Sequence, residues 1–337
     1  MESLAQIGVF LAEAMIVVLA FVIIIIVIAS AANKGRSQTN IRVEPLNEKF
    51  KDYENLIKSE SLNKQELKEE KKKLKELEKK EEKSESKPRL FVIDFDGDIK
   101  ASQADNLKEE INAILTVATA KDEVVVRLES PGGVVHGYGF AASQLLRLRE
   151  KNIPLTICID QVAASGGYLM SCVAHKILAA PFAIVGSIGV VAQVPNFNKI
   201  LKKHDVEFKE YTAGEFKRTV TLFGEITPKG EQKFVEQLEE THQLFKSFVS
   251  QFRPQLDMSQ VATGEYWYGQ KALELKLVDA ISTSDDYLLK HSSTAQILHI
   301  KHEKKPSFQE KISQAMGSAV ANTLVKVWTQ LEKQKHM

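Results

Sequence analysis

Alternation between strand-like apolar runs and helical patterns is the feature that most constrains how this chain can fold. Phe91–Phe95, Val124–Leu128 and Leu155–Ile159 are short apolar runs typical of buried strands, and segments with helical spacing of apolar residues lie between them. A further short strand is predicted at Ile177–Ala179. Because strands that alternate with helices form parallel sheets, the sequence predicts an α/β domain with a mostly parallel sheet.

The pattern continues into the second half of the chain. Lys199–His204 predicts a helix, and Glu207–Tyr211 predicts one more strand. Thr227 followed by Pro228 combines a capping residue with proline at the first helical position, and it begins a long helix that Pro254 ends. The apolar stripe of that helix predicts that one face packs against the domain.

An uncharged stretch near the N-terminus, Ala14–Ala32, is dominated by aliphatic residues and phenylalanine. At about 1.5 Å per residue it reaches about 30 Å, enough to cross the hydrocarbon core of a bilayer. No basic segment precedes it, so a cleaved signal peptide fits poorly. Two glutamates precede the stretch, whereas Lys34, Arg36 and Arg42 follow it. These flanking charges favour a single-pass anchor with the rest of the chain in the cytoplasm.

Composition divides the chain into four predicted regions. Residues 1–36 form the membrane anchor and 37–88 a charged connector, in which lysines and glutamates four residues apart favour a solvated helix. Residues 89–290 form the globular domain, and 291–337 a tail with an amphipathic helical stripe. The stripe suits either a membrane interface or packing on a neighbouring subunit.

Charge and cysteine content narrow the classes of function. The formal net charge is +1, so the sequence carries no electrostatic footprint for nucleic acid. Cys158 and Cys172 have no histidine partners in a metal-ligand pattern, and two cysteines at this spacing form no disulfide framework. They are predicted to be buried free thiols, and we predict neither a metal nor a cofactor.

Ser165 follows the Leu155–Ile159 strand and a run of small residues, and Gly166 and Gly167 come directly after it. A serine at the start of a helix meets free backbone N–H groups and the positive end of the helix dipole. That setting suits a nucleophile whose attack creates an oxyanion. It equally suits a serine that only caps the helix, and this stretch alone leaves both interpretations open.

Two further segments could complete a catalytic site around Ser165. At Gly132 and Gly133 the missing side chains let the backbone approach a substrate and aim N–H groups at an oxyanion. Lys217, which has phenylalanine and leucine neighbours in the sequence, is a candidate base. A lysine can take the serine proton only when desolvation lowers its pKa, and most lysines are simply exposed.

Two histidines and one nucleotide-binding pattern compete with this interpretation. On a continuous helix His175 would lie about 15 Å from Ser165, and nothing in the sequence places His136 against that serine. Gly137 to Ala142 fits G-x-G-x-x-A, but this pattern does not directly follow a strand, as a dinucleotide-binding loop requires. A nicotinamide-binding enzyme is therefore the weakest of the alternatives.

Four motifs in a fixed order add a family resemblance to this interpretation. Between about Leu90 and Asp279 the chain contains, in this order, S-P-G-G, D-x-x-A-A-S-G-G-Y, G-S-I-G-V and Y-T-A-G-E-F-K-R-T. In this order they resemble the signal peptide peptidase family of membrane-anchored serine–lysine peptidases. The resemblance implies a ClpP/crotonase-like spiral of ββα units, preceded here by the transmembrane helix and the charged connector.

The same resemblance implies roles for individual residues. Ser165 is then the nucleophile, Lys217 the general base, and Ser187 the residue whose hydroxyl orients the lysine amine. Gly132 matches the oxyanion-hole glycine with Gly133 as its near alternative, and the Gly166 N–H is the second expected donor. The resemblance implies that members with one such domain assemble into rings or domes in which the lysine can reach the serine of a neighbouring protomer, so we expect a homo-oligomer.

The implied function is a serine endopeptidase of the bacterial inner membrane that cleaves signal-peptide remnants or other membrane-associated peptides and proteins. Its expected partners are such substrates and the lipid bilayer. Catalytic domains of this family usually face outward, whereas the charges flanking the anchor favour the cytoplasmic side. The alternative from another class is a crotonase-like scaffold or acyl-thioester enzyme, which uses similar oxyanion amides without a serine nucleophile.

Overall fold

The computed structural model describes residues 40–63, 65–69, 72 and 87–303, and those from Ile41 onward belong to one compact unit. Strands and helices alternate through most of this unit. Its strands are β1 (Ile41–Pro45), β2 (Arg89–Asp96), β3 (Glu123–Glu129), β4 (Leu155–Ile159), β5 (Val162–Ala164), β6 (Lys176–Ala179), β7 (Ile184–Gly186), β8 (Tyr266–Tyr268), β9 (Ala280–Ile281) and β10 (Gln296–His302). Its helices are α1 (Leu46–Ser61), α2 (Ala104–Leu115), α3 (Val135–Glu150), α4 (Gly166–Ser171), α5 (Asn198–Lys203), α6 (Pro228–Phe252), α7 (Met258–Val261), α8 (Gly269–Glu274) and α9 (Ser284–His291).

A seven-stranded sheet with the order β1-β10-β2-β3-β4-β6-β9 forms the centre of the domain. All neighbours are parallel except β1, which runs antiparallel to β10. The predicted mixed α/β class with a mostly parallel sheet is thereby confirmed. β1 and β10 lie outside the predicted range 89–290, and their pairing joins the two ends of the described chain in one sheet.

The central strands are apolar because both faces of the sheet are covered. On one face, β3 and β4 pack with α2 and α3 in the larger core, which contains Val124, Val126, Leu145 and Leu148. On the other face, Leu90, Val92, Val125 and Cys158 form a smaller core with α9. Parallel strands buried on both faces have continuous apolar runs, and this is why the sequence located them well.

A second sheet, with the order β5-β7-β8, branches from the carboxyl end of β4. β5 and β7 are parallel, and β8 closes the sheet in the antiparallel direction. β5 is tied back to the main sheet by a bridge between Ala163 and Ser130, the residue that follows β3. This small sheet determines where the residues after β5 and β7 come to lie.

Among the predictions for the periphery of the domain, one strand is wrong and one helix is confirmed. The predicted strand Glu207–Tyr211 is wrong, because this segment pairs with no strand of the described residues and Tyr211 is 89% exposed. The long helix does begin after Thr227, whose hydroxyl accepts a hydrogen bond from the Gly230 N–H, and it ends before Pro254. The predicted membrane span and the amphipathic stripe of the tail lie outside the described residues. Within the described part of the chain, no helix is long and apolar enough to cross a membrane.

Candidate active site

Strand pairing in the small sheet brings two of the predicted site residues together. β5 and β7 are parallel with Ala164 opposite Gly186, so the residues that follow these strands, Ser165 and Ser187, are neighbours. The Ser165 N–H donates a 2.8 Å hydrogen bond to the Gly186 carbonyl, which ties the two turns directly. Ser165 and Ser187 consequently line the same cavity.

Ser165 has a backbone conformation that side-chain-bearing residues rarely adopt, with φ 51° and ψ −115°. Residues held in such sparsely populated regions concentrate at functional sites, where surrounding structure offsets the strain. Ser165 precedes the first turn of α4, but its side chain makes no capping hydrogen bond. The interpretation of Ser165 as only a helix cap is therefore wrong, and its hydroxyl remains available to the cavity.

A buried chain of hydrogen bonds supports the turn next to Ser165. The Tyr138 hydroxyl donates to the Asp98 carbonyl at 2.8 Å and lies 2.5 Å from the Ser130 hydroxyl, which in turn accepts the Gly132 N–H at 3.0 Å. Burial raises the pKa of Tyr138, so its hydroxyl stays protonated as a donor. The ring of Tyr138 also occupies the space that a Cβ on Gly166 would need. Residue 166 therefore needs to be glycine.

The glycines predicted for the oxyanion hole differ in their surroundings. Gly132 has φ +88°, and a Cβ there would lie 2.7 Å from the Ser165 Cβ, so Gly132 packs directly on that serine. Its N–H, however, already donates to Ser130. Gly133 lines the cavity, and among the described residues no acceptor is bonded to its N–H. Gly166 also lines the cavity, and as the first residue of α4 it has an N–H without an intrahelical acceptor.

The cavity beside Ser165 has a volume of about 710 Å³. One side is formed by the turns after β3, β5 and β7, and the opposite side by the middle of α6. Most of its lining is apolar or glycine, which is typical of sites that bind extended or apolar ligands. The lining from α6 and from the first turn of α4 consists of Thr241, His242, Leu244, Phe245, Phe248, Gly166 and Leu169.

Lys217 is not among the residues that line this cavity. It is exposed, in a segment between α5 and α6 that has no strand or helix, and its N–H donates to the Gly214 carbonyl at 3.2 Å. Neighbouring side chains hold the segment against α6: Glu215 forms an ion pair with Lys229, and the Phe216 ring lies under the amines of Lys229 and Lys233. Within one chain, the structure does not bring Lys217 and Ser165 into the same cavity.

The two histidines considered from the sequence lie outside the cavity. His136 is exposed on α3. His175 follows α4 and accepts a hydrogen bond from the Leu155 N–H at 3.1 Å through Nδ1, and burial lowers its pKa. A third histidine, His242 on α6, does line the cavity and was missed by the sequence analysis. The available signal was an imidazole within the apolar stripe of α6, one turn before Phe245.

The nucleotide-binding pattern is accounted for by the fold. Gly137 and Gly139 lie within α3, so the pattern forms no loop that could hold a pyrophosphate. Asp160, which lies at a strand end about twenty residues on, where such a pattern has its acidic residue, accepts hydrogen bonds from the backbone N–H and the hydroxyl of Ser284 at the start of α9. Both cysteines are buried free thiols, as predicted. The described residues contain no cluster of metal-ligating side chains.

Comparison with known proteins identifies relatives of this chain. Residues 2–145 match Peptidase family S49 N-terminal, and residues 147–298 match Peptidase family S49. A protein named "Probable protease SohB" from Haemophilus influenzae is 52% identical over 334 residues, which cover 95% of each chain. One of the same name from Buchnera aphidicola subsp. Schizaphis graminum is 42% identical over 337 residues, covering 98% of each.

A solved structure of a mutant 1510-N membrane-bound stomatin-specific protease in complex with a substrate peptide is similar over 69% of this chain and 99% of its own. Its identity to this chain is 14% and the TM-score is 0.41.

Proposed function

The chain belongs to peptidase family S49 as a SohB-type peptidase, and from this premise we propose that it is a membrane-anchored serine endopeptidase with Ser165 as nucleophile and Lys217 as general base. The observation that carries the proposal is the hydroxyl of Ser165: it makes no capping bond, stands on a strained backbone and faces a largely apolar cavity. The proposed substrates are signal-peptide remnants or other membrane-associated peptides and proteins.

The reaction follows from the groups that surround this hydroxyl. The neutral amine of Lys217 takes the Ser165 proton as the oxygen attacks the scissile carbonyl carbon. The oxyanion that forms accepts hydrogen bonds from the Gly166 N–H and from the 132–133 turn. Because the Gly132 N–H is bonded to Ser130, we assign the donor of that turn to Gly133, the alternative that the sequence left open.

The acyl-enzyme forms and is hydrolysed with the same base. The protonated Lys217 gives its proton to the leaving nitrogen as the C–N bond breaks, and the Ser165 ester remains. Lys217 then deprotonates a water molecule, which attacks the ester, and Ser165 recovers its proton as the acid product leaves. Ser187 lies beside Ser165 in this cavity, where its hydroxyl could orient the lysine amine. Its hydrogen bond to the Gly264 carbonyl, at 3.5 Å, is weak enough to be exchanged.

We propose that Lys217 reaches Ser165 from a neighbouring copy of the chain. The exposed position of Lys217, outside the cavity of its own chain, supports this arrangement. The fold that would present the two residues to each other is the ClpP/crotonase-like spiral, assembled as a ring. The Ala14–Ala32 stretch would anchor this ring in the bacterial inner membrane.

The decisive experiment measures peptide cleavage by full-length protein in detergent. Ser165→Ala and Lys217→Ala should each reduce turnover at least about 1,000-fold, because the two residues act as a unit. Lys209→Ala, which removes another exposed lysine of the same segment, is the matched control and should retain turnover. Near-normal turnover of the Lys217→Ala protein would exclude the dyad. Absence of labelling of Ser165 by a serine-reactive probe would favour the crotonase-like alternative.

Mixing the two inactive variants tests whether Ser165 of one copy works with Lys217 of its neighbour. In a randomly mixed ring, about a quarter of the sites combine an intact serine from one copy with an intact lysine from its neighbour. Co-expression of Ser165→Ala and Lys217→Ala chains should therefore restore about a quarter of wild-type activity. A dyad formed within one chain would restore none.

A further inference from the structure

One polar residue occupies a core-facing position of α6. His242 lies three residues before Phe245 and seven before Val249, so it shares the helix face that these two residues bury. Its Nε2 atom is shielded from solvent and has no hydrogen-bond partner among the described residues. A leucine at this position would fill the same space without burying an unpaired polar atom, so the imidazole costs stability unless something pairs with it.

The surroundings of His242 point to a ligand as that partner. α6 packs against α4, the short helix that Ser165 precedes, and His242 lines the cavity between them. The nearby Leu244, Phe245 and Phe248 have no polar side-chain atoms. Thr241 does, but its hydroxyl already donates to the Gln237 carbonyl at 2.8 Å. On this wall the Nε2 of His242 is consequently the polar atom without a partner, and a bound side chain can pair with it once the wall shifts to uncover it.

The chemistry of an imidazole nitrogen defines the class of group that fits it. Nε2 of a neutral histidine is a donor in one tautomer and an acceptor in the other. A hydroxyl or a carboxamide can both donate and accept, so it pairs with either tautomer, whereas an aliphatic side chain leaves the nitrogen unpaired. Because Nε2 is shielded from solvent, pairing with such a group requires a movement of the α6 wall, whose Leu244 side chain is 67% exposed.

We propose that His242 is a specificity-determining residue that hydrogen-bonds through Nε2 to a hydroxyl or carboxamide side chain of the substrate residue filling the cavity. This inference rests on the proposed peptidase function. It predicts that a peptide with Thr, Asn or Gln at that residue is preferred over the matching peptide with Val, Leu or Met, which has nearly the same shape. A site built to hydrogen-bond a polar group discriminates against isosteres that lack it.

The test uses peptides that differ in one such isosteric pair at each position around the scissile bond. For wild-type protein, kcat/KM at one position should favour the polar member by about tenfold. His242→Leu should abolish or reverse that preference, whereas His242→Gln, whose amide nitrogen can take the place of Nε2, should retain it. Gln243→Leu alters the exposed neighbouring residue of α6 and should leave the preference unchanged.

Binding measurements separate this inference from the proposed function. Full-length Ser165→Ala protein should bind the polar member of the pair about tenfold more tightly, and the Ser165→Ala/His242→Leu protein should not. If the wild-type protein cleaves no peptide but this binding preference is found, the peptidase function fails and the role of His242 stands. Equal binding of both members at every position, or a preference that His242→Leu leaves intact, overturns the role of His242. His242→Phe, which keeps an aromatic ring but has no ring nitrogen, provides the same comparison if His242→Leu does not fold.

Discussion

A buried carboxyl far from the cavity makes the stability of this domain sensitive to pH. Glu110 on α2 is 4% exposed, and its Oε1 accepts a 2.8 Å hydrogen bond from the His302 N–H at the end of β10. Burial raises the pKa of Glu110 from its usual 4.5 to about 7, and the negative charge of Asp94 acts in the same direction. The backbone hydrogen bond, His299 and Lys301 oppose the rise without cancelling it.

The sign and size of the effect follow from linkage. A carboxyl whose pKa is raised by folding holds its proton more tightly in the folded state, so its contribution to stability is complete below about pH 4.5. That contribution is lost as the pH rises from 4.5 through about 7. At 1.36 kcal/mol per pKa unit, the rise corresponds to a loss of about 3 kcal/mol between these limits. Glu110→Gln keeps an oxygen that can accept the His302 N–H but carries no charge at any pH.

We therefore expect Glu110→Gln to raise the free energy of unfolding by about 3 kcal/mol at pH 8 and to leave it nearly unchanged at pH 4.5. Urea titrations of the full-length protein at several pH values, followed by tryptophan fluorescence, measure this difference. Glu109→Gln is the control, because the Glu109 side chain on the same helix is 42% exposed and hydrogen bonds lower the pKa of its carboxyl. A gain that is the same at pH 4.5 and pH 8, or no gain at pH 8, would refute the reasoning.

Two further substitutions test the support of the site and of the domain. Gly132→Ala should reduce kcat/KM at least about 100-fold. The new Cβ would lie 2.7 Å from the Ser165 Cβ, at a backbone φ of +88°, and would displace that serine. Peptide cleavage close to the wild-type rate would contradict this packing argument. Arg253→Met should lower the free energy of unfolding by about 3 kcal/mol, because it removes the buried guanidinium that binds both oxygens of Asp279. Urea denaturation measures that loss, and a change below about 1 kcal/mol would show that the pair is energetically unimportant.

Local sequence patterns determined the central strands β2, β3, β4 and β6 and the long helix α6. Leu155–Ile159 was located to the residue because a strand buried on both faces needs a continuous apolar run, which polar or small residues then interrupt. The start of α6 was predicted equally well, because a capping residue and a proline act within one helical turn. Glu207–Tyr211 shows the limit of this reasoning. Its two aromatic residues are compatible with a strand, but a strand also needs a neighbouring strand to pair with, which no local pattern predicts.

The arrangement of the site was decided by contacts between distant parts of the chain. Ser165 and Ser187 were singled out from their motifs, but the pairing of β5 with β7 makes them neighbours. His242 lines the cavity because α6 packs on α4, and the bridge between Ser130 and Ala163 ties the turn after β3 to β5. Residue order encodes local conformation through short-range sterics and hydrogen bonding. Which side chains meet across tens of residues depends instead on packing of the whole core, and only the tertiary structure specifies it.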